Sequence, residues 1–277
     1  FYSPAVLVKD AQRHGLRVRP VDVQISQWLC NVEHSGDGER TLRLGLLYAK
    51  GLRQEVGEAV VESRTKYGLF RSAEDLTRRV PQLQRKELTL LARIGALNSL
   101  QGIDHRRDAV WAAEEAVRPV GPLLKPHDHG GSTSSPLRKM TTEERLHADY
   151  SGTGLTVGKH PLYYRRQELR AMKVLSSAEL RNLKDGAYVR AAGCVIARQR
   201  PGTAKGFIFI SMEDETGIAN VIITPDLYER ERLVVTRSKF VLVEGPLQNQ
   251  DTVIHIKARH IQPLAFGNLE VSSHDFH

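Results

Sequence analysis

The sequence predicts an α+β multidomain chain, a helical first part followed by a five-stranded β-barrel. Three observations predict it. Between residues 42 and 117, apolar residues recur at helical spacing and are punctuated by Gly and Pro. From Ala187 onward the apolar pattern changes to alternation, with β-branched residues enriched. Between the two regimes, residues 118–139 are rich in Pro, Gly, Ser and His, the composition of a flexible linker. The 277 residues are enough for two or three small domains, and 40% hydrophobic content can supply their cores.

Ser3-Pro4 sets an N-cap and a first helical position, and Gly15 ends that helix. Val18 to Ile25 is expected to be extended, and Ser35-Gly-Asp-Gly38 to be a loop. Leu42 to Ala49 reads as a short apolar helix interrupted by Lys50-Gly51-Leu52. A longer amphipathic helix follows, with Val56, Ala59, Val60 and Ser63 on one face and Glu55, Glu58 and Glu62 on the other. Tyr67-Gly68 closes it. Ser72-x-x-Asp75 is a capping box for a third helix carrying Ala73, Leu76 and Val80, which Pro81 ends. Arg85 to Ile94 is a fourth helix with Leu88, Leu91 and Ile94 inward, stopped by Gly95-Ala96-Leu97. Asp104 to Val117 is a fifth.

Helix, short hairpin, helix thus occurs twice, a tandem helix-hairpin-helix over 41–117. In such a unit the hairpin amides and the next helix's N-terminus converge on one phosphate. Neither group reads a base, so binding is expected to ignore sequence. Lys50, Gly51, Leu52 and Arg53 form the first candidate hairpin. Gln82, Leu83, Gln84 and Arg85 form the second, with Lys86 beside it. Charge agrees with this placement. Residues 40–100 carry twelve Lys/Arg against six Asp/Glu, whereas residues 187–277 carry ten of each. The positive field of a chain with formal charge +8 therefore sits in the helical part, where a polyanion would be held.

Within the linker, His127-Asp128-His129 offers two imidazoles and a carboxylate, a weak metal pattern without fixed geometry. Thr141-Thr142-Glu-Glu144 starts another capped helix in a helical connector spanning 140–186. Gly154-Leu-Thr-Val-Gly158-Lys-His160-Pro161 invites comparison with a phosphate loop and fails it. The glycine spacing is short by one, His160 stands where Ser/Thr would hold magnesium, and Pro161 is expected to forbid an immediate helix. A structured turn is the reading that remains. Ser176 to Leu183 is a short helix.

The barrel, 187–265, is read as strands 187–198, 206–213 and 218–224, a helix 225–235, then strands 239–247 and 252–261. Three strands, a helix and two strands is the order of an OB-type Greek-key barrel. In the second strand Ile208, Ile210 and Met212 are expected to face the core. Phe207 and Phe209 then point outward as a stacking platform for unpaired bases, helped by Arg198 and Arg200 from the first strand. The alternative puts both rings in the core. Glu213-Asp214-Glu215 is the nearest acidic cluster and is expected to be a solvated turn. Residues 266–277 are expected to be a loose tail.

The chain opens on Phe1 rather than methionine, as a piece of something longer would. No apolar run reaches membrane-spanning length, no signal peptide is visible, and Cys30 and Cys194 are isolated, which fits a reducing, cytoplasmic setting.

Three landmarks in order carry a family resemblance. They are Phe1-Tyr-Ser-Pro4 with His14-Gly15 and Arg19-Pro-Val-Asp22, then Lys50-Gly51-Leu52 and Gly95-Ala96-Leu97, then Gly158-x-His160-Pro161 ahead of the barrel. Together they resemble the C-terminal third of bacterial C-family DNA polymerases, the polymerase III α-subunit family. The wording of 154–161 is closer to the error-prone, damage-inducible branch. Where the family has a second hairpin glycine this chain has Arg53, and the second hairpin has no glycine between Val80 and Arg85. The resemblance implies that residues 1–40 end a fingers-like region. It implies a parent DNA-directed DNA polymerase used in translesion synthesis. Magnesium and catalytic aspartates are then expected upstream of Phe1, with no catalytic residue or cofactor in this chain. It also implies primed duplex and single-stranded template DNA as partners, with a mutagenesis accessory protein and the sliding clamp as further ones and no membrane. A second reading makes the chain chiefly a protein-interaction module, which the neutral barrel favours. A third likens Phe209-Ile-Ser-Met-Glu-Asp214 to the anticodon-binding barrel of tRNA synthetases, and the upstream hairpins argue against it.

Overall fold

A computed structural model describes residues 2–34, 39–117, 136–250, 253–265 and 274–276. The His127-Asp128-His129 pattern lies outside the described residues. Two units are present, one of residues 16–154 and one of residues 1–15 with 155–277.

The barrel unit includes the first helix, α1 (Pro4–Arg13), with Ser3 as N-cap and Pro4 at its first position. The helical unit begins with a small sheet of β1 (Arg17–Arg19), β2 (Asn31–His34) and β3 (Arg40–Arg43). Central β3 runs parallel to β1 and antiparallel to β2. The expected extended run over 18–25 shortens to β1, because Asp22 to Ser26 closes a turn in which the Ser26 amide donates to the Asp22 carbonyl at 2.8 Å. The expected helix over 42–49 is also corrected. Leu42 and Arg43 belong to β3, and only Leu46–Tyr48 makes a 3-10 turn. The reason is tertiary: Arg43 forks onto Glu33 of β2 at 2.7 and 3.1 Å and donates to the Pro20 carbonyl at 3.1 Å.

The helices then follow as read: α2 (Gln54–Tyr67), α3 (Ala73–Arg79), α4 (Arg85–Arg93), α5 (Arg106–Ala116) and α6 (Thr142–Thr153). Ser72 caps α3 by accepting the Asp75 amide at 3.1 Å. Val56, Val60, Leu76, Leu88 and Leu91 fill the core with essentially no exposure, the inward positions that helical spacing selects. Although the sequence groups α6 with a connector, it packs on α4: a Cβ on Gly152 would overlap the Ile94 side chain.

In the barrel unit α7 (Pro161–Ala171) starts at Pro161 itself, which corrects the expectation that this proline forbids a helix there. Proline suits the first helical position because its missing N–H would have no acceptor anyway. After α8 (Ser177–Leu180) come β4 (Tyr188–Gln199), β5 (Ile208–Glu213), β6 (Ile218–Ile223), α9 (Pro225–Arg237), β7 (Phe240–Gln250) and β8 (Val253–Lys257). The order β4-β5-β6-β8-β7 closes because β7 also pairs with β4. The β6–β8 pair is parallel and the other four are antiparallel. That is the OB barrel, with α9 between its third and fourth strands. Ile208, Ile210 and Met212 are buried inside, as alternation required.

Two details differ from the sequence reading. The last expected strand breaks at Ala258 and Arg259, whose amides donate to the Ile222 and Glu244 carbonyls, and β9 (His260–Pro263) then continues along β7 in the direction of β8, with its register shifted by one residue. In the expected loose tail, β10 (His274–Phe276) pairs parallel with β4. Among the described residues no helix is long and apolar enough to cross a membrane.

Candidate nucleic-acid interface

The first hairpin joins the 3-10 turn to α2. Gly51 takes φ +99°, a left-handed conformation that a side chain disfavours, and it stays exposed. Leu52 tucks into the core and anchors the turn. Lys50 is fastened at its backbone, donating its amide to the Gly152 carbonyl at 2.8 Å. Its ammonium lies at the C-terminal end of α6, 3.5 Å from the Tyr150 carbonyl oxygen, where a cation complements the helix dipole.

Arg53 does not stand free. Its Nε and Nη2 donate to Glu87 at 3.0 and 3.1 Å, Nη2 also donates to the Gln82 carbonyl at 2.6 Å, and Nη1 donates to Glu55 at 2.9 Å. Its amide donates to Glu87 as well, at 3.0 Å. Glu87 is 1% exposed and further accepts the Gln84 amide at 2.9 Å. Burial pushes the Glu87 carboxyl up, but the Arg53 guanidinium and the two amides outweigh it and hold the group below the ordinary carboxylate range. One buried carboxylate therefore ties the start of α2 to the start of α4. The guanidinium expected to stand free for a phosphate is thus engaged by this internal fork.

The second hairpin, Val80 to Gln84, leads into α4 without glycine. Gln84 is the N-cap, and Glu87 closes the capping box from the third position. Arg85 and Lys86 are the first two residues of α4, so their amides have no intrahelical acceptor. Arg85 pairs with Glu114 of α5. Lys86 and Arg93 are exposed, with no carboxylate partner among the described residues. Arg93 was not among the residues the sequence singled out, although its seven-residue spacing from Lys86 puts both on one face of α4. The exposed face of α2, by contrast, carries Glu55, Glu58 and Glu62.

On the barrel, Phe209 is half-buried, flanked in register by Gln199 of β4 and Ile222 of β6. Phe207 lies just before β5, half-buried, with its amide bonded to the Ala204 carbonyl at 3.0 Å. Ser211, Asn220 and His255 form the neighbouring row across β5, β6 and β8, and Ser211 Oγ donates to Asn220 at 3.0 Å. Asn220 and His255 escaped the sequence reading because only strand register brings them beside Phe209. The two arginines expected to help are not on this face. Arg198 is 8% exposed and donates to the Val235 and Ser238 carbonyls at 2.7 and 2.5 Å, closing the end of α9. Arg200 lies over the Tyr228 ring at 4.8 Å.

The acidic turn is not solvated, another correction. Asp214 is 1% exposed and accepts the Thr216, Gly217 and Ser177 amides at 2.7, 2.9 and 2.6 Å. Glu215 pairs with Arg166 of α7, and Glu213 with Arg13 of α1 at 2.8 Å. These carboxylates fasten helices to the barrel. The Gly158-Lys-His160-Pro161 stretch is the structured turn expected of it. His160 Nδ1 accepts the Leu162 amide at 3.2 Å and caps α7, while Lys9 holds the Gly158 carbonyl at 2.5 Å.

Comparison with known proteins agrees with both folds. Residues 15–109 match the helix-hairpin-helix motif family, and residues 179–264 match the OB-fold nucleic acid binding domain. The whole chain is 39% identical over 281 residues to the error-prone DNA polymerase of Alkalilimnicola ehrlichii, of which it covers 27%. It is 41% identical over 282 residues to that of Pseudomonas paraeruginosa, also covering 27%, and 38% identical over 284 residues to that of Burkholderia mallei, covering 25%. It thus spans about a quarter of the length of these relatives. Among solved structures, asparaginyl-tRNA synthetase from Pyrococcus horikoshii is similar over 34% of this chain and 22% of that one, with a TM-score of 0.29 and 22% identity. Along its full length, and in the order that its hairpins and barrel implied, this chain is similar to a C-terminal part of the bacterial error-prone DNA polymerases.

Proposed function

We propose that this chain is the DNA-handling C-terminal part of an error-prone DNA polymerase acting in translesion synthesis and damage-induced mutagenesis. Template-directed nucleotidyl transfer, with its magnesium, belongs in this reading to domains upstream. The observation that carries it is the start of α4, where the Arg85 and Lys86 amides lack helical acceptors and the Lys86 side chain is exposed. Amides at a helix N-terminus take a phosphate oxygen whatever the base, as copying across lesions requires. The barrel face around Phe209 would take single-stranded template. The test is affinity of the chain for duplex, primed and single-stranded DNA at several salt concentrations. Binding that weakens steeply with salt is expected, and salt-independent or absent binding sinks the reading.

A second reading has a specific observation behind it. Barrel cations such as Arg198 are consumed internally and the region from 187 onward has no net charge, which suits a docking surface for an accessory protein or the sliding clamp. Phe207→Ala separates the two. Loss of oligonucleotide affinity favours template binding, and loss of partner binding alone favours docking.

A further inference from the structure

A groove of about 550 Å³ runs along α4 and α6 in the helical unit, lined by Arg85, Lys86 and Arg93 on one side and Ala148, Ser151 and Gly152 on the other. Leu90 and Ile94 form its apolar floor, and no carboxylate lines it. Its two ends meet the two hairpins. At one end Arg85 and Lys86 open α4, next to the second hairpin. At the other, Gly152 accepts the Lys50 amide of the first hairpin at 2.8 Å. The match to the helix-hairpin-helix motif stops at residue 109, so the α6 wall lies outside it.

We propose that this groove is a DNA subsite holding the sugar-phosphate chain of one duplex strand between the hairpins, with α6 as a wall that the motif itself lacks. The inference rests on the DNA-binding reading above. Three features support it. Lys86 and Arg93 are seven residues apart on one helix, about 10 Å, which matches the axial rise of three nucleotides at about 3.4 Å each. Arg85 is partly neutralised by Glu114, leaving Lys86 and Arg93 as the cations for two phosphates. Half-buried Leu90, above the buried Ile94, offers apolar surface to deoxyribose, and Ala148, Ser151 and Gly152, three and four residues apart, keep the opposite wall low.

Blocking the groove without touching a charge tests it. Ser151 is exposed, so Ser151→Leu is compatible with the fold, which circular dichroism and a melting curve would check. With the 277-residue chain and a fluorescent duplex, Ser151→Leu should weaken binding about tenfold at low salt. It should also reduce the slope of log K against log salt by about 1.8, the share of two phosphates. Arg93→Ala should reduce the slope by about 0.9. A Ser151→Leu chain that binds with wild-type affinity and slope overturns the groove even if Arg93→Ala weakens binding, because the arginine then acts only through its field. If the wild-type chain shows no salt-dependent duplex binding, the broader reading fails and the subsite with it. If the wild type binds and only hairpin variants weaken it, the subsite alone is lost.

Discussion

The two hairpins look like repeats, yet they divide the work differently. The first has the glycine, the open left-handed turn and an exposed lysine, yet both its cations lie against groups of their own fold: Lys50 at the end of α6, Arg53 on Glu87. The helix it opens turns Glu55, Glu58 and Glu62 to solvent. The second has no glycine, but its helix exposes Lys86 and Arg93. A positive count along a stretch therefore says little about which cations a ligand meets. What matters is which of them the fold has already engaged: Glu87 takes Arg53, Glu114 takes Arg85, and the end of α6 takes Lys50.

The largest effect should come from removing the Glu87 carboxylate. Glu87→Ala leaves the Arg53 and Gln84 amides without their acceptor and the guanidinium without its partner. A loss of about 2 kcal/mol is expected in urea unfolding, below the 3–5 typical of a fully buried pair because Arg53 keeps access to water. Both hairpins should loosen together, and a protein as stable as wild type would break the idea of a shared tie. The same tie has a pH signature. The folded Glu87 carboxyl lies below its ordinary value, so its contribution is fully present above the usual carboxylate range and is lost as pH falls beneath it. Glu87→Gln should flatten that acid limb of the stability curve.

The comparison sharpens in DNA binding. Lys86→Ala should cut duplex affinity several-fold and lower the salt slope by about 0.9. Lys50→Ala should leave the slope nearly unchanged, since its ammonium serves α6. Equal slopes for the two variants would mean that the hairpins are equivalent after all. The smallest effect is expected from Glu55→Gln with Glu58→Gln. Relief of like-charge repulsion should raise affinity about two-fold at low salt, an increase that disappears near 1 M as screening shortens to about 3 Å.

Much of the architecture was legible in the residues. The barrel's strand order and the inward set Ile208, Ile210 and Met212 follow from alternation, and the helices from apolar spacing, the Ser72 cap and the Thr141 box. The misreadings share a cause. Leu42 and Arg43 have helical company in sequence, but a cross-strand fork onto Glu33 holds them in a sheet. Arg53, Arg198 and the 213–215 carboxylates read as solvent-facing charges, and each found a partner far away along the chain. Pairing of that kind has no local signature. Arg93 and the α6 wall went unread for a similar reason, since a groove exists only once two helices lie side by side.

The turn that caps α7 has one more consequence. His160, buried and facing Lys9, Arg13 and Arg166, is driven down to about 3, first by burial and then by those cations. Burial drives Glu213 up to about 7 against the pull of Arg13 and Lys9. The first group takes up a proton on unfolding as acidity rises below its free value of 6.5, and the second gives one up above its free value of 4.5. Where those windows overlap, the two exchanges oppose each other. The docked ends of α1 and α7 should therefore hold with near-constant strength across mildly acidic conditions, a compensated plateau that neither residue could produce alone.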